Sequence, residues 1–338
     1  MSRKKTTRST DRSGAYDVQD ISVRCAPATR THDEFERLRC RVAGATSGAD
    51  QRPRSVRAGS TRAGPATPEF CSTKGGVAWI LDLDGVLWLG ETPIPGSFDA
   101  VRKLRSDGHR VLFLTNNSWM TIAAYVAKME KMGLEVAPEE LCTSAQAAAE
   151  LVEPGEVALV CGGAGIVEAL TLRGVRCVRE SDPAVTVVVA GFDREFTFSK
   201  LQTLFQAVHS GARLIGTNDD PTYPTVDGPI PGGGSIVAAI AYAAGVTPVF
   251  GGKPNAPAAS VVFHRLGLGS DPSVEKRRSL LMVGDRPSTD GGMARTMGAR
   301  FGLVLSGVTS LAQLPVEPAP DVVAADLGSL VAAELARS

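Results

Sequence analysis

From residue 76 onward, apolar positions alternate between short unbroken runs and helical spacing. The run 77–82 (Val-Ala-Trp-Ile-Leu-Asp) has the length of a buried strand. Phe98, Val101 and Leu104 then recur at helical spacing, and Gly108 stands where a helix ends. A second run, 111–115, predicts the next strand, and Ile122, Val126 and Met129 predict a helix closed by Gly133. The alternation continues with strands over 157–161, 186–190, 212–216, 280–283 and 301–305. Between them the spacing predicts helices over 166–172, 200–208, 236–244, 258–266, 290–297 and 327–336. Short apolar strands alternating with helices imply an α/β fold with a parallel sheet covered on both faces.

Before residue 76 the texture differs. Residues 1–75 are rich in Arg, Ser, Thr, Ala and Gly, with a short apolar piece at Phe35 and Leu38. Such a segment buries too little surface to offset its ordering entropy, so a disordered extension outside the fold is expected. A transit peptide fits less well because Asp11, Asp17 and Asp20 come early. A nucleic-acid arm is diluted by acids, and a start further downstream is the remaining alternative, although no Met lies between Met1 and Met120.

The chain has 338 residues, enough for two packed units, and its 43% apolar and 21% charged content is that of a globular protein. Lys plus Arg and Asp plus Glu are equal at 36 each. That balance is an average of unlike parts. Residues 1–75 hold 15 basic and 8 acidic side chains, and residues 76–338 hold 21 and 28. No global field favours nucleic acid or an acidic membrane, and no apolar run approaches the roughly 18 residues of a membrane span. The six cysteines include no C-x-x-C, and a cytoplasmic protein with reduced thiols is expected.

In a doubly wound sheet, ligands bind beyond the carboxyl ends of the strands. Four strand ends carry reactive groups: Asp82-Leu-Asp84-Gly85, Thr115-Asn116-Asn117-Ser118, Lys253-Pro254, and Gly284-Asp285-Arg286 through Thr289-Asp290. Taken singly, each has an ordinary structural explanation as a turn, a helix cap or a solvated charge. Together and in this order they suit phosphoryl transfer. A carboxylate can attack phosphorus, hard oxygen ligands can hold Mg2+, a second acid can serve the leaving group, and a hydroxyl and an ammonium can hold phosphoryl oxygens.

These four motifs resemble those of the haloacid-dehalogenase-like superfamily, and most closely its subclass IIA, the NagD / 4-nitrophenylphosphatase / phosphoglycolate phosphatase group. Three further stretches match that branch: 143–148, 191–201, and 216–232 with Asn218, Asp219, Asp220, Pro224, Asp227 and Gly228. The resemblance covers about 77–325 and no part of 1–75. It implies a Rossmann-like parallel-sheet core over 76–147 and 248–338, with an α/β cap over 148–247. It makes Asp82 the nucleophile and Asp84 the general acid/base. Asp82, the Asp84 backbone carbonyl and Asp285 would bind Mg2+, with Asp290 supporting the site. Thr115, Asn116 and Asn117 would bind phosphate, and Lys253 would orient nucleophile and phosphoryl group. Asn218 and Asp220, on the cap's specificity loop, would reach the substrate. Ser288 and the pair Gly291-Gly292 depart from the usual pattern of the fourth motif.

The expected activity is hydrolysis of a small phosphorylated metabolite, such as phosphoglycolate, glycerol phosphate, a sugar phosphate or a nucleotide, through an aspartyl phosphate. A non-catalytic relative would be expected to lack Asp82, Asp84 or Asp285. The basic tail leaves room for an added anion-binding role. The family often dimerises through its caps, so a homodimer is implied. The Gly162–Gly165 turn lacks the third glycine of a dinucleotide fingerprint, where Glu168 stands. Residues 231–235 lack the Lys of a P-loop, and the four histidines are scattered.

Overall fold

The computed structural model describes residues 77–225 and 228–337. The expected extension over 1–75, and Asp227, lie outside the described residues. In chain order, β1 (Ala78–Leu81), β2 (Arg110–Thr115) and β3 (Leu141–Thr143) come first. Next are β4 (Val157–Cys161), β5 (Arg176–Val178), β6 (Val187–Ala190), β7 (Arg213–Gly216) and β8 (Val249–Phe250). The chain then forms β9 (Leu280–Gly284), β10 (Arg300–Val304) and β11 (Val322–Ala324).

Two parallel sheets result. The first has the order β11-β10-β9-β1-β2-β3. The second, inserted between β3 and β9, has the order β8-β7-β6-β4-β5. β8 pairs with β7 through Val249 and Phe250, so the second sheet extends past residue 247. Its strand order is that of a doubly wound domain, reversing direction at β4 and β6.

Period-two alternation explains the central strands. Trp79 and Leu81 of β1 pack with Leu104, Phe113 and Tyr125. Ala78 and Ile80 join the opposite layer with Leu112, Val262 and Met282. Helices cover both layers, which is why β1 and β9 are apolar throughout. The helix Ser97–Ser106 buries Phe98, Val101 and Leu104 as the spacing predicts. In Ile122–Lys131 the buried pair is Tyr125 and Met129, with Ile122 and Val126 only partly covered.

The three-residue strands β3, β5 and β11 escape the sequence pattern because they are too short to display a period. The helix expected from 290 begins at Gly292, after a π-helical turn over Pro287–Gly291. That turn accounts for the two glycines. A Cβ at Gly291 would lie 2.9 Å from the Phe301 ring, and one at Gly292 would lie 2.8 Å from Pro254. Among the described residues, no helix is long and apolar enough to cross a membrane.

Candidate active site

β1, β2 and β9 deliver their carboxyl ends to one place. Asp82 leaves β1 with its backbone N–H donating to Val283 at 2.9 Å, which ties the first motif to the last. Asp84 lies in the loop that follows. Gly85 there has φ +87, and a Cβ on it would meet the Asp285 carboxylate, so only glycine lets this loop pass the site.

Lys253 is fully buried and donates from Nζ to Asp82 Oδ1 at 2.6 Å and to Asp290 Oδ1 at 2.7 Å. Asp82, Asp285 and Asp290 each place a carboxylate oxygen within 4.8 Å of the others. Burial pushes the Asp82 carboxyl well up, and Asp290 and Asp285 add to this against the pull of Lys253. Burial and then Asp290 push Asp285 up to about 6, although Val308 N–H donates to its Oδ2. Burial alone would lower Lys253, but Asp290 and Asp82 outweigh it and raise its affinity for the proton. One ammonium therefore faces three buried carboxylates. Hard oxygen donors with surplus negative charge suit a divalent cation such as Mg2+.

The Asp84 carboxylate stands outside that trio. Its Oδ1 accepts from Trp88 Nε1 at 3.1 Å. Burial raises its affinity for a proton, opposed by Lys128 and by the Trp88 bond. Asp84 is thus able to hold a proton for a leaving oxygen. Thr115 is buried at the end of β2, and its Oγ1 accepts from Asn117 N at 3.1 Å. Asn117 reaches across with Nδ2 to Tyr223 OH at 3.4 Å, and its carbonyl accepts from Tyr125 OH at 3.2 Å.

Asn116, Asn218 and Asp220, the expected substrate contacts, are hydrogen-bonded to one another. Asn116 Oδ1 accepts from Lys253 N at 2.8 Å, and its Nδ2 donates to Lys253 O and Asp220 Oδ2. Asn218 Nδ2 donates to Asn116 O at 2.7 Å, and its Oδ1 accepts from Asp220 N. Asp220 Oδ1 faces Arg286 Nη1 at 3.9 Å. These polar atoms satisfy one another and latch the inserted sheet to the first motifs. Tyr223 is half-buried beside them, and Asp219 is exposed.

The same seam explains the Gly162–Gly165 turn. A Cβ at Gly163 would lie 2.3 Å from Trp119 O, and one at Gly165 would lie 2.2 Å from Met120 O. Gly165 N donates to Trp119 O at 3.1 Å. The chain's own 118–120 segment packs against this turn at the carboxyl end of β4, and a cavity lined by Trp119, Cys161, Gly162 and Asp193 remains beside it. Ser118 Oγ adds a 3.0 Å hydrogen bond to Thr217 Oγ1.

The sequence pattern assigns no role to three contributors: Trp88, Tyr125 and Thr217. Trp88 was within reach, four residues after Asp84 inside the first motif. Ser118 and Thr217 meet only because the fold closes a separation of 99 residues.

Comparison with known proteins agrees with this geometry. The haloacid dehalogenase-like hydrolase family model matches residues 79–176, and a HAD-hydrolase-like model matches 250–330. An acid sugar phosphatase of Staphylococcus saprophyticus is 34% identical over 216 residues, covering 63% of this chain and 80% of that protein. The structure of a p-nitrophenyl phosphatase from Archaeoglobus fulgidus superposes with a TM-score of 0.69 at 31% identity, covering 76% of this chain and 99% of that one. A glycerol phosphate phosphatase from Mycobacterium tuberculosis, solved in complex with magnesium, gives a TM-score of 0.68 at 32% identity, covering 76% of each chain. The chain belongs to the haloacid-dehalogenase-like hydrolases, in their NagD-like subclass IIA. It is a phosphatase of that superfamily and acts on phosphorylated substrates.

Proposed function

We propose that this phosphatase hydrolyses small phosphomonoesters with Mg2+, through an aspartyl phosphate on Asp82. The observation that carries the reading is the Lys253 ammonium set between Asp82 and Asp290, with Asp84 beside them and outside the carboxylate trio. An Asp82 oxygen attacks phosphorus, and the bond from phosphorus to the leaving oxygen breaks. Asp84, protonated, gives its proton to that oxygen. In the second half Asp84 takes a proton from water, whose oxygen attacks the aspartyl phosphate and releases phosphate with Asp82 restored.

Thr115 and the backbone at Asn116 hold phosphoryl oxygens, and Lys253 keeps the nucleophile oriented. Asp82, Asp285, Asp290 and the Asp84 backbone carbonyl would hold Mg2+, which neutralises the approach of two anions. The inserted sheet acts as a cap that keeps bulk water away and favours small substrates. The activities named for the relatives, on sugar phosphates, glycerol phosphate and nitrophenyl phosphate, support this range. A cytoplasmic homodimer paired through the caps completes the proposal. Its support is the exposure of Tyr242 and Val249 on the cap, and sedimentation of the purified protein tests it.

The decisive test is turnover of 4-nitrophenyl phosphate with Mg2+ by the wild type and by Asp82→Asn. Turnover in the wild type and none in the variant is expected. An active Asp82→Asn enzyme removes Asp82 as nucleophile.

A further inference from the structure

The loop that leaves β6, residues 191–196, carries groups that the reaction outlined above does not use. Phe192 is buried and stacks on Tyr223, with ring centroids 5.2 Å apart at 25°. Its ring also meets Trp119 edge-on at 6.0 Å. The Arg194 guanidinium carbon lies 5.9 Å from the Phe192 centroid. Tyr223 in turn touches Asn117, two residues past Thr115. Two stacked rings, Phe192 and Tyr223, therefore link Arg194 to Asn117. Burial and then Asp84 push the Tyr223 hydroxyl up while Arg194 pulls it down, which places Asp84 and Arg194 around one phenol.

The loop is held from behind. The Asp193 side chain is only 4% exposed, and its Oδ2 accepts from Lys200 Nζ at 2.8 Å. Its Oδ1 accepts from Glu195 N at 2.9 Å, and Cys161 Sγ donates to Oδ2 at 3.5 Å. Asp193 and Glu195 border a separate cavity with Cys161 and Lys200, and Phe192 and Arg194 do not. Alternate residues of the loop thus serve opposite sides. Asp193 anchors it, and Phe192 and Arg194 are presented with Tyr223.

Charge separates Arg194 from its neighbours. Lys128 pairs with Glu91 at 3.1 Å, and Arg286 faces Asp220 at 3.9 Å. Among the described residues, no carboxylate lies in salt-bridge range of Arg194. Arg194 is exposed beside the Phe192 ring, and a guanidinium without a counter-charge fits a planar anion that accepts two parallel hydrogen bonds.

We propose that Arg194 is a specificity-determining residue that binds an anionic group, a carboxylate above all, on the leaving-group side of the substrate. The preferred substrates are then short phosphomonoesters that carry a second negative group. This rests on the phosphatase reading of the same site and deepens it.

The test compares 3-phosphoglycerate with glycerol 3-phosphate, which differ chiefly in a carboxylate against a hydroxymethyl group. Purified wild type, Arg194→Ala and Arg194→Lys are assayed on both with Mg2+. The wild type is expected to favour 3-phosphoglycerate in kcat/KM. Arg194→Ala is expected to cut the ratio of the two kcat/KM values by about 10–100-fold, with the loss falling mainly on KM for the carboxylate substrate. Arg194→Lys restores part of the ratio, because charge returns without the fork geometry. A wild type that favours glycerol 3-phosphate, or a ratio that Arg194→Ala leaves constant, overturns the proposal. Wild-type turnover of 4-nitrophenyl phosphate tests the phosphatase reading separately, so the two fail independently.

Discussion

Lys253 places its ammonium 2.6 Å from the Asp82 carboxylate across 171 residues of sequence, and both groups are buried. The pair joins the third motif to the first, and Asp290 shares the same nitrogen. Replacing Lys253 with Ala leaves three buried carboxylates without their ammonium. Breaking a buried pair from one side costs about 3 kcal/mol. Urea denaturation of the metal-free variant is expected to show a loss of that size, and turnover of 4-nitrophenyl phosphate is expected to fall by about 100-fold or more.

The carboxylate trio also predicts a response to metal. Burial and Asp290 push Asp285 up to about 6, so its ionised form is costly without a cation. Asp285→Asn removes that cost. Metal-free Asp285→Asn is expected to unfold at a higher temperature than metal-free wild type. Mg2+ is expected to raise the wild-type unfolding temperature and barely to move the variant, because stabilisation follows differential binding to the folded state. Calorimetric scans with and without chelator check both points.

Trp88 bears on Asp84, the proposed acid. Its Nε1 bond to Asp84 Oδ1 is the side-chain contact that orients this carboxyl. Trp88→Phe keeps most of the buried ring and removes the donor. A nitrophenolate leaves without needing a proton, whereas an alkoxide needs one. The variant is therefore expected to lose about 10-fold in kcat on an alkyl phosphate and less on 4-nitrophenyl phosphate. Equal losses on both substrates would assign Trp88 a packing role alone.

The seam between the two sheets is intolerant of a single methyl group. Gly163→Ala and Gly165→Ala each drive a Cβ into the backbone of Trp119 or Met120. Overpacking of this kind costs about 1–3 kcal/mol, here by pushing the two sheets apart. Both variants are expected to melt earlier and to lose activity, since the displaced 118–120 segment is continuous with Thr115 and Asn116.

A pH dependence follows from the C-terminal helix. Arg300 donates to Glu334 at 2.7 Å, and this contact, with Arg337 beside it, holds the Glu334 carboxyl below its usual range. A depressed folded-state value stabilises the fold above the unfolded value, near 4.3, and the gain is lost as pH falls through the folded value. Glu334→Gln is expected to cost about 1 kcal/mol at pH 7, allowing for screening at the partly exposed Arg300. The gap between variant and wild type is expected to close below about pH 4. Unfolding curves at pH 7 and at the acid limit measure it.

Much of this was legible before the structure. The apolar runs that became β1, β2 and β9 ended in the residues that now meet, because strand ends in a doubly wound sheet converge. Legibility failed where contacts, rather than local pattern, set the outcome. Val249 and Phe250 belong to the inserted sheet because they pair with Ile215 and Gly216, which two apolar residues cannot announce. Asn116, Asn218 and Asp220 have the chemistry of ligand contacts, and the hydrogen bonds that join Asn116 to the other two across more than 100 residues are not visible in local pattern. The glycines at 162, 163 and 165 imitate part of a nucleotide loop, and only tertiary approach shows what they accommodate: Ile166 and Phe192 at Gly162, Trp119 and Met120 at the other two.

By itself the sequence determined the alternation of strands and helices and the chemistry that stands at the strand ends, with Asp82, Asp84, Lys253, Asp285 and Asp290 as candidates. Periodicity and residue chemistry are local properties, and strand ends need no further information to be recognised. Tertiary structure alone decided that Lys253 is shared by two carboxylates, that Asp84 is bonded by Trp88, and that the inserted sheet is latched by amides. Those outcomes depend on burial and on distances between residues far apart in the chain, which arise only when the two sheets pack.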